Sequence, residues 1–315
     1  MGNTEQKIRI ALDAMGGDYA PSEIVKGAVM AAEKGGIEIS LVGHIDDIKA
    51  ELLKYDTVNL PIHIVHAEDI IPEGSNPAIS VRKMPRSSIA IAARMVKEQE
   101  ADGFMSAGPT GSIVTAALQY LGMIDGIQRP VIGGAIFDTA PDTVVFDCGV
   151  NMDCKPYHLL TFAVVGHSFC SKFLGIKKPK IGLLNIGAEK DKGNLLTKET
   201  YPLLKKSGLN FIGNIEGNQM TDGTANVVVC DGFIGNVIFK FCGSVGLFHD
   251  LAATSGNKQG GGIIFGINGI VRKVQGSSRA QHVAATIHQT KEAIRTDFID
   301  ALKAELRGVI TRINV

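Results

Sequence analysis

The sequence has little cysteine and no arrangement of cysteines that points to chemistry. Its 315 residues include five cysteines, an odd number, and none of them forms a C-x-x-C pair. Cys148 and Cys154 do not have the spacing of a zinc ribbon. We therefore expect buried, reduced thiols rather than disulfides or a structural metal site.

The chain also lacks net charge and long apolar runs. Its 32 lysines and arginines balance its 32 aspartates and glutamates, which excludes a general attraction to nucleic acid or to an anionic membrane. Any anion must then be held locally. No window reaches the roughly 18 apolar residues of a membrane-spanning helix, and the start, MGNTEQKIRIALD, has no apolar signal segment. We expect a cytoplasmic protein.

Several motifs of cofactor and nucleophile chemistry are missing. No G-x-G-x-x-G follows the first predicted strand, and the sequence contains no P-loop, no H-E-x-x-H and no G-x-S-x-G. These absences disfavour a Rossmann cofactor, a P-loop nucleotide, a helix-borne zinc ion and a serine nucleophile. We expect neither a cofactor nor a metal ion. An enzyme of this kind would position two substrates against each other.

What the sequence does contain is a regular alternation of short β-branched runs and longer stretches of helical period, up to about residue 250. This βαβα order predicts an α/β fold of three layers, with a mostly parallel sheet and helices on both faces. Because the length favours a split core, we expect residues 1–315 to form two lobes with a cleft between them. Residues 233–290 are expected to form a helical, glycine-rich extension for dimer contact.

Glycines and small polar residues follow most of the predicted strands. Parallel sheets bind ligands outside the carboxyl ends of their strands, so these turns are the predicted site. They read LDAMGGD (12–18), SAGPTGS (106–112), FDCGVNMDCKP (146–156), NIGAEKDKGN (185–194), GNIEGN (213–218) and CDGFIGN (230–236).

The turn SAGPTGS precedes a helical pattern and is the clearest candidate for an anion site. Backbone N–H groups at a helix N-terminus favour negative charge, and Gly108 and Gly111 leave room for an oxyanion. The alternative is an ordinary strand-to-helix turn in which Thr110 or Ser112 caps the helix. The turn CDGFIGN invites a similar interpretation, with Asn236 as a donor to an oxygen.

The aspartates of these turns have two interpretations. Asp13 with Asp18, or Asp147 with Asp153, could hold Mg²⁺ as paired carboxylates. At least as well supported is the interpretation that they accept hydrogen bonds from turn backbone and nearby lysines.

Taken in order, six motifs resemble the phosphate acyltransferase family of bacterial phospholipid synthesis. The resemblance runs from about Ile8 to Glu305 and is carried by LDAMGGDYAP, SAGPTGS, FDCGVNMDCKPYHLLTFAVVG, KIGLLNIGAEKDKGN, NFIGNIEGN and VVVCDGFIGNVIFK. It implies a fold similar to isocitrate and isopropylmalate dehydrogenases. It also implies synthesis of acyl phosphate from long-chain acyl-[acyl-carrier-protein] and inorganic phosphate, by a homodimer that works beside a membrane glycerol-3-phosphate acyltransferase.

The chain departs from the family pattern at several positions. Pro109 stands where the family usually has asparagine, and Arg86, after Pro85, stands where an aspartate is expected. Gln275 replaces a common histidine, Asn218 a common arginine, and Ala188 an acidic residue.

The inferred reaction assigns roles to the strand-end residues. We expect phosphate to bind at Ser106, Gly108, Thr110 and Gly111, with positive charge from Arg82, Lys83 or Lys192. Asn185 and Asn236 are the candidate donors to the acyl oxygen, and Asp153 the candidate to take the phosphate proton. The remaining walls of the cleft are expected to be Asp13, Gly16, Gly17, Asp18, Asp147, Asn151, Lys155, Glu216, Asp231 and Gly232.

The stretch GGGIIFGINGIV (260–271) also has two interpretations. It is apolar enough for a buried strand or a dimer contact. Alternatively, Ile264 and Phe265 dip into a bilayer surface, with Arg272 and Lys273 beside anionic headgroups. The second interpretation expects a peripheral protein of the inner membrane face.

Three other functions stay open on the sequence alone. A related enzyme could transfer a small acyl group from a coenzyme A thioester to phosphate. A non-catalytic relative could bind acyl-carrier-protein as a scaffold. A hydroxy-acid dehydrogenase on the same fold is the third, since that fold binds its cofactor without the missing dinucleotide motif.

Overall fold

A computed structural model describes residues 7–135, 137, 139–244 and 262–313. The chain divides into two compact units. Unit 1 comprises Met1–Gly122 and Leu251–Arg295, and unit 2 comprises Met123–Asp250 and Thr296–Val315.

Strands and helices alternate through the first part of unit 1, as the pattern of the sequence predicts. In chain order the elements are β1 (Ile8–Asp13), α1 (Ser22–Glu33), β2 (Ile37–Gly43), α2 (Ile45–Leu52), β3 (Ile62–His66), α3 (Pro77–Lys83), α4 (Ser88–Lys97), β4 (Gly103–Ser106) and α5 (Thr110–Tyr120).

The rest of the chain continues this alternation. Unit 2 supplies β5 (Val131–Ala135), β6 (Val144–Phe146), α6 (Pro156–Phe173), β7 (Ile181–Leu184), α7 (Leu195–Lys206), β8 (Phe211–Ile215), a 3-10 helix (Gly217–Met220), β9 (Val227–Val229) and α8 (Gly232–Ser244). Three elements then belong to unit 1, namely β10 (Gly262–Phe265), β11 (Ile270–Lys273) and α9 (Ala280–Arg295), and α10 (Phe298–Ile313) returns to unit 2.

The described strands of unit 1 form a sheet in the order β3-β2-β1-β4-β11-β10. They are parallel except β10, which runs antiparallel to β11. The carboxyl ends of β1, β4 and β11 therefore lie at one edge, since parallel neighbours end on the same side. The register pairs Leu12 with Met105 and Lys273 with Ser106.

The described strands of unit 2 have the order β5-β6-β9-β7-β8. Here β5 is antiparallel to β6 and the other pairs are parallel. The turns after β6, β7, β8 and β9 consequently share an edge. The prediction of mostly parallel strands is confirmed within each unit.

Both faces of β1 and β4, which are neighbours within the unit 1 sheet, are buried, as expected of parallel strands. Ile10 and Leu12 of β1 pack in one apolar cluster with Val283 and Ile287 of α9. Phe104, in β4, is also fully buried but lies outside that cluster. Burial on two faces explains why these strands are apolar throughout rather than alternating.

Helices α1 and α9 pack closely, and the contact requires a glycine. A Cβ atom at Gly27 of α1 would lie 2.6 Å from Cβ of Val283 and 2.8 Å from the carbonyl oxygen of Ala280. At Gly308 of α10, by contrast, the nearest atom would be 3.6 Å away, in the side chain of Arg312.

These two glycines give a matched test of the packing. We expect Gly27→Ala to lower the free energy of unfolding by about 1–3 kcal/mol, because overpacking forces the helices apart. Gly308→Ala should raise it by up to about 1 kcal/mol, since alanine favours the helix and has room. Urea denaturation measures both changes. Equal stability of the two variants would contradict the close contact of α1 with α9.

Candidate functional site

The centre of the unit 1 edge is a buried carboxylate at the end of β1. Asp13 is fully buried, and its Oδ2 accepts a hydrogen bond of 2.5 Å from Oγ of Ser106. Its Oδ1 accepts from the backbone N–H of Met15 at 3.0 Å. Burial raises the pKa of Asp13, whereas the bonds from Ser106, Ser88 and the backbone oppose that rise. Asp13 therefore ties the turn after β1 to the turn after β4.

The glycines of LDAMGGD make room for that second turn. A Cβ atom at Gly16 would lie 2.5 Å from Oδ2 of Asp13 and 2.6 Å from the backbone nitrogen of Gly108. Gly17 has a φ of +104°, and a Cβ there would meet Ala107 at 2.9 Å. The protein's own turn after β4 therefore fills the space beside both glycines.

Ser106 itself faces inward rather than toward a ligand. The residue is fully buried, donates to Asp13 and accepts from the backbone N–H of Gly108 at 2.9 Å. Its hydroxyl is thus committed to the turn. Asp18, in contrast, is exposed, and its backbone N–H donates to the carbonyl oxygen of Gly276 at 2.9 Å.

The N-terminus of α5 carries no side-chain cap. Pro109 occupies the N-cap position, so the expectation that Thr110 or Ser112 is the N-cap is wrong. Among the described residues, the backbone N–H groups of Thr110 and Gly111 have no hydrogen-bond acceptor. Two donors at a helix N-terminus are therefore open to an anion.

Helix α3 contacts α5 at its start, whereas the predicted cations lie at its other end. The ring of Pro77, at the start of α3, sits where a Cβ of Gly111 would be, at 2.6 Å. Arg82 and Lys83 are exposed in the last turn of α3, at its other end. Neither side chain makes a hydrogen bond or ion pair to another described residue.

A lysine that was not predicted as a site residue, Lys273, lies at the same edge. Lys273 ends β11, and its Nζ donates to the carbonyl oxygens of Ala107, at 3.2 Å, and of Val274. Burial lowers the pKa of Lys273 to about 8, although Glu73, Asp13 and Asp18 oppose this shift. A pattern in the sequence could have found it, because IVRK followed by VQGSS has the same strand-then-small-residue pattern as the other turns.

Unit 2 has its own buried carboxylate at the end of β6. Oδ1 of Asp147 accepts from the N–H groups of Gly149 and Val150, both at 3.1 Å. Oδ2 accepts from the backbone N–H and the side-chain Nδ2 of Asn151, both at 2.7 Å. Burial raises the pKa of Asp147, and these bonds oppose the rise. Gly232 docks here as well, donating its N–H to the carbonyl oxygen of Asn151 at 2.8 Å.

The structure separates the two predicted oxyanion donors of unit 2. Nδ2 of Asn185 donates to the carbonyl oxygen of Lys192 at 3.1 Å, and its Oδ1 accepts from Ile186, so this amide closes a loop. Asn236 is half-buried beside Gly149, and its amide has no hydrogen-bond partner among the described residues. Only Asn236 keeps both of its N–H donors open to a substrate oxygen.

The other predicted residues of unit 2 line the edge in different ways. Asp231 accepts from the N–H of Ile234 at 2.9 Å and so stabilises the start of α8. Asp153, Lys155, Lys192 and Glu216 are exposed. Lys155 precedes α6, and its backbone N–H donates to Nδ1 of His158 at 3.1 Å.

Asp13 and Asp147 follow the second interpretation of the aspartates, since both accept hydrogen bonds from turn backbone. Across the described part of the chain, no group of three or more histidine, cysteine or acidic side chains is placed to hold a metal ion. All five cysteines are free thiols.

The interpretation of residues 260–271 as a membrane contact is corrected. Ile264 and Phe265 lie in β10 and are only 1% and 2% exposed, because they pack inside the sheet. Arg272 is buried too and donates to Oε1 of Gln289 at 2.9 Å. No described helix has the length and apolar character needed to cross a bilayer. Residues 245–261, the centre of the expected extension, lie outside the described residues.

Two departures from the family pattern have clear structural settings. Pro109 starts α5 without a cap. Arg86 forms an ion pair with Glu68, in which Nη2 lies 2.9 Å from Oε2. Asn218, in the 3-10 helix, and Gln275, after β11, are both exposed, and the structure gives no reason for either substitution.

Two buried serines of one turn test the Asp13 network. We expect Ser106→Ala to cost about 1–3 kcal/mol of stability, because a buried carboxylate loses a donor. The pKa of Asp13 should then rise further. A carboxyl group with a raised pKa contributes stability below its unfolded pKa and loses it as the pH rises through the folded pKa, so the cost of the substitution should grow as the pH rises above the unfolded pKa of aspartate, about 3.9.

Ser112→Ala is the control, because the Ser112 hydroxyl is buried without a hydrogen-bond partner in the described structure. Its removal should be neutral or slightly stabilising. Urea denaturation across the pH range measures both variants. A Ser106→Ala variant that behaves like Ser112→Ala would remove Asp13 from the centre of the network.

The sequence matches a known family over most of its length. The family model described as "Fatty acid synthesis protein" matches residues 8–254. The phosphate acyltransferase of Pelotomaculum thermopropionicum is 40% identical over 96% of this chain and 96% of its own. That of Aquifex aeolicus is 47% identical over 76% of this chain and 71% of its own.

Solved structures confirm the predicted dehydrogenase-like fold class. A phosphotransacetylase from Streptococcus pyogenes superposes with a TM-score of 0.70, at 20% identity, over 94% of both chains. A protein from Salmonella typhimurium assigned as a 4-hydroxythreonine-4-phosphate dehydrogenase gives a TM-score of 0.61 at 14% identity, over 91% of this chain and 99% of its own. Likeness at such identities concerns the fold alone. The sequence relatives, however, settle the family: the chain belongs to the phosphate acyltransferases, the enzyme family that its strand-end motifs resemble.

Proposed function

We propose that this enzyme makes acyl phosphate from the thioester of a long-chain acyl-carrier-protein and inorganic phosphate, for phospholipid synthesis. The observation that carries this proposal is the nearly full-length identity to relatives named phosphate acyltransferase. The open donors at the strand-end edge of each unit support it, because the reaction needs an anion site and a donor to the acyl oxygen.

The reaction proceeds by direct attack of a phosphate oxygen on the thioester carbonyl. The new carbon–oxygen bond gives a tetrahedral intermediate, which collapses by breaking the carbon–sulfur bond and releasing the carrier's thiolate. A thiol with a pKa of about 8.5 is a good leaving group near neutral pH, so a strong general acid is not required.

A covalent acyl-cysteine intermediate fits the structure poorly. Burial raises the pKa of every cysteine, to about 12 for Cys154 and Cys170. A thiol with such a pKa is protonated at neutral pH, whereas the thiolate is the nucleophile. The attacking group is then the phosphate itself.

The enzyme's contribution in this mechanism is orientation and charge stabilisation. The N–H groups of Thr110 and Gly111 are the open donors for phosphate at the end of α5. Asn236 is the open side-chain donor for the oxygen that becomes negative in the tetrahedral intermediate. Asp153, an exposed carboxylate of unit 2, is the proposed acceptor of the phosphate proton.

The reaction is tested by phosphate-dependent release of free thiol from long-chain acyl-carrier-protein, with acyl phosphate trapped by hydroxylamine. We expect turnover that requires phosphate and is slower with acyl-coenzyme A. A preference for coenzyme A would favour the small-acyl alternative. Binding of carrier protein without turnover would favour a scaffold, and binding of NAD would favour a dehydrogenase.

The two asparagines provide a matched test of the oxyanion role. We expect Asn236→Ala to lower kcat about 100-fold, the typical effect of losing one oxyanion donor. Asn185→Ala should have a smaller effect on kcat and should loosen the loop up to Lys192. Steady-state kinetics and urea denaturation of both variants separate these outcomes. Wild-type kcat in Asn236→Ala would refute its role.

We also propose a homodimer, with α8 at its contact. Phe233, Val237 and Phe241 lie four residues apart on one side of α8 and are 59%, 54% and 61% exposed, and Ile234 adds to the patch. A row of large apolar side chains on one helix is typical of a surface that another protein covers. A second copy of the chain is the occupant that the family resemblance implies.

Negative charges introduced into this row of apolar side chains on α8 test the proposed dimer. Val237→Glu combined with Phe241→Glu should turn the dimer into a monomer in sedimentation experiments, since two carboxylates cannot be buried unpaired. Leu53→Glu is the control, because Leu53 is isolated in unit 1 and 86% exposed. A dimer that survives the double change would place the contact elsewhere.

Some expectations from the sequence and the resemblance stay predictions. They are a cytoplasmic location, work beside a membrane glycerol-3-phosphate acyltransferase, and a single cleft that combines the two strand-end edges.

A further inference from the structure

Lys273 reaches the proposed anion turn from a distant part of the sequence. It is the last residue of β11, which runs parallel to β4, and its register partner is Ser106. The side chain therefore starts beside SAGPTGS, at the edge where parallel sheets bind ligands. Nothing in the mechanism above uses it.

The ammonium group of Lys273 is held by backbone oxygens and not by a carboxylate. Nζ donates to the carbonyl oxygens of Ala107, at 3.2 Å, and of Val274. A lysine ammonium has three N–H donors, and the third has no acceptor in the part of the chain that the structure describes. The residue remains partly open to solvent.

The acidic groups that face Lys273 do not neutralise it by direct contact. They are Asp13 from β1, Asp18 from the following turn and Glu73 from the segment before α3. The carboxylate of Asp13 is already hydrogen-bonded to Ser106, Ser88 and backbone N–H groups. No described carboxylate lies within ion-pair distance of Lys273.

A largely buried cation without an ion-pair partner is costly to keep, and an anionic ligand would offset that cost. Open donors lie on the same turn, three and four residues after Ala107, in the N–H groups of Thr110 and Gly111. The buried and unpartnered hydroxyl of Ser112 lies in the same first turn of α5. Cation and N–H donors together suit a small oxyanion with several acceptor oxygens.

We propose that Lys273 binds the attacking phosphate, holding one of its oxygens by the free ammonium N–H while α5 receives the others. The proposal rests on the proposed function and replaces Arg82, Lys83 and Lys192 as the main source of positive charge. It also gives Lys273 a second task, because its bonds to Ala107 and Val274 fix the turn in the shape that the phosphate meets.

Titration provides a signature that a purely structural lysine would not have. Burial lowers the pKa of Lys273 to about 8, against the opposing charges of Glu73, Asp13 and Asp18. The wild-type enzyme should therefore lose phosphate affinity as the pH rises through about 8. Arginine stays protonated in this range, so Lys273→Arg should lack that loss.

The experiment measures KM for phosphate, KM for acyl-carrier-protein and kcat of the wild type, Lys273→Met, Lys273→Arg and Lys97→Met from about pH 6.5 to about pH 9.5. Lys97 is an exposed lysine at the end of α4 and serves as the matched control. We expect Lys273→Met to raise the phosphate KM about 10- to 100-fold, the range of a lost charge-assisted hydrogen bond, with little change in the KM for the acyl donor.

Two further outcomes complete the test. If Lys273→Met fails to fold, the alkaline rise of the phosphate KM decides, and the same rise in Lys273→Arg as in the wild type would overturn the proposal. Unchanged phosphate KM in a folded Lys273→Met variant would also overturn it while leaving the proposed function intact. A wild-type enzyme without phosphate-dependent turnover would refute both, so the two failures are distinguishable.

Discussion

The hydrogen bond from Ser106 to the carboxylate of Asp13 is the constraint on which the edge of unit 1 depends. Both residues are fully buried, and each ends its own strand. A carboxylate without water must find its donors in the protein, so the turns after β1 and β4 have to meet. Gly16 is small for the same reason. Unit 2 also has a buried carboxylate after a strand, Asp147, which accepts hydrogen bonds from its own turn, including the backbone and side chain of Asn151.

This arrangement gives the aspartates and the open donors different tasks. Asp13 and Asp147 are saturated with hydrogen bonds and shape the turns. Thr110, Gly111 and Asn236 keep donors unsatisfied at the same edges, where they are available to substrate oxygens. The residue at position 109 is important here, because a proline cannot cap α5 with its side chain. The chain thus leaves more of this helix N-terminus to a ligand than an asparagine would.

The sequence predicted the fold class and the positions of the turns, because periodicity and small residues at strand ends report directly on a parallel sheet. Local spacing could not show which polar groups are already satisfied. Ser106 and Asn185 have the chemistry of ligand-binding residues, yet both are committed to internal hydrogen bonds. The membrane interpretation placed Lys273 beside anionic headgroups. Its proximity to Ser106 could not be predicted, because it depends on a pairing between strands separated by more than 160 residues. For Ile264 and Phe265 the sequence left a buried strand and a membrane contact open, and only the sheet shows what covers them.

Because unit 1 consists of two separate segments of the sequence, its strands are synthesised in two stages. Its chain leaves after Gly122 and returns at Leu251, so β11 leaves the ribosome only after the intervening part of unit 2. The nascent chain must therefore keep the edge of β4 free for a strand that does not yet exist. An unpaired strand edge is prone to aggregate, which makes this interval a natural point for chaperone binding. A fragment that ends before Ile270 would contain SAGPTGS but could not complete the sheet beside it.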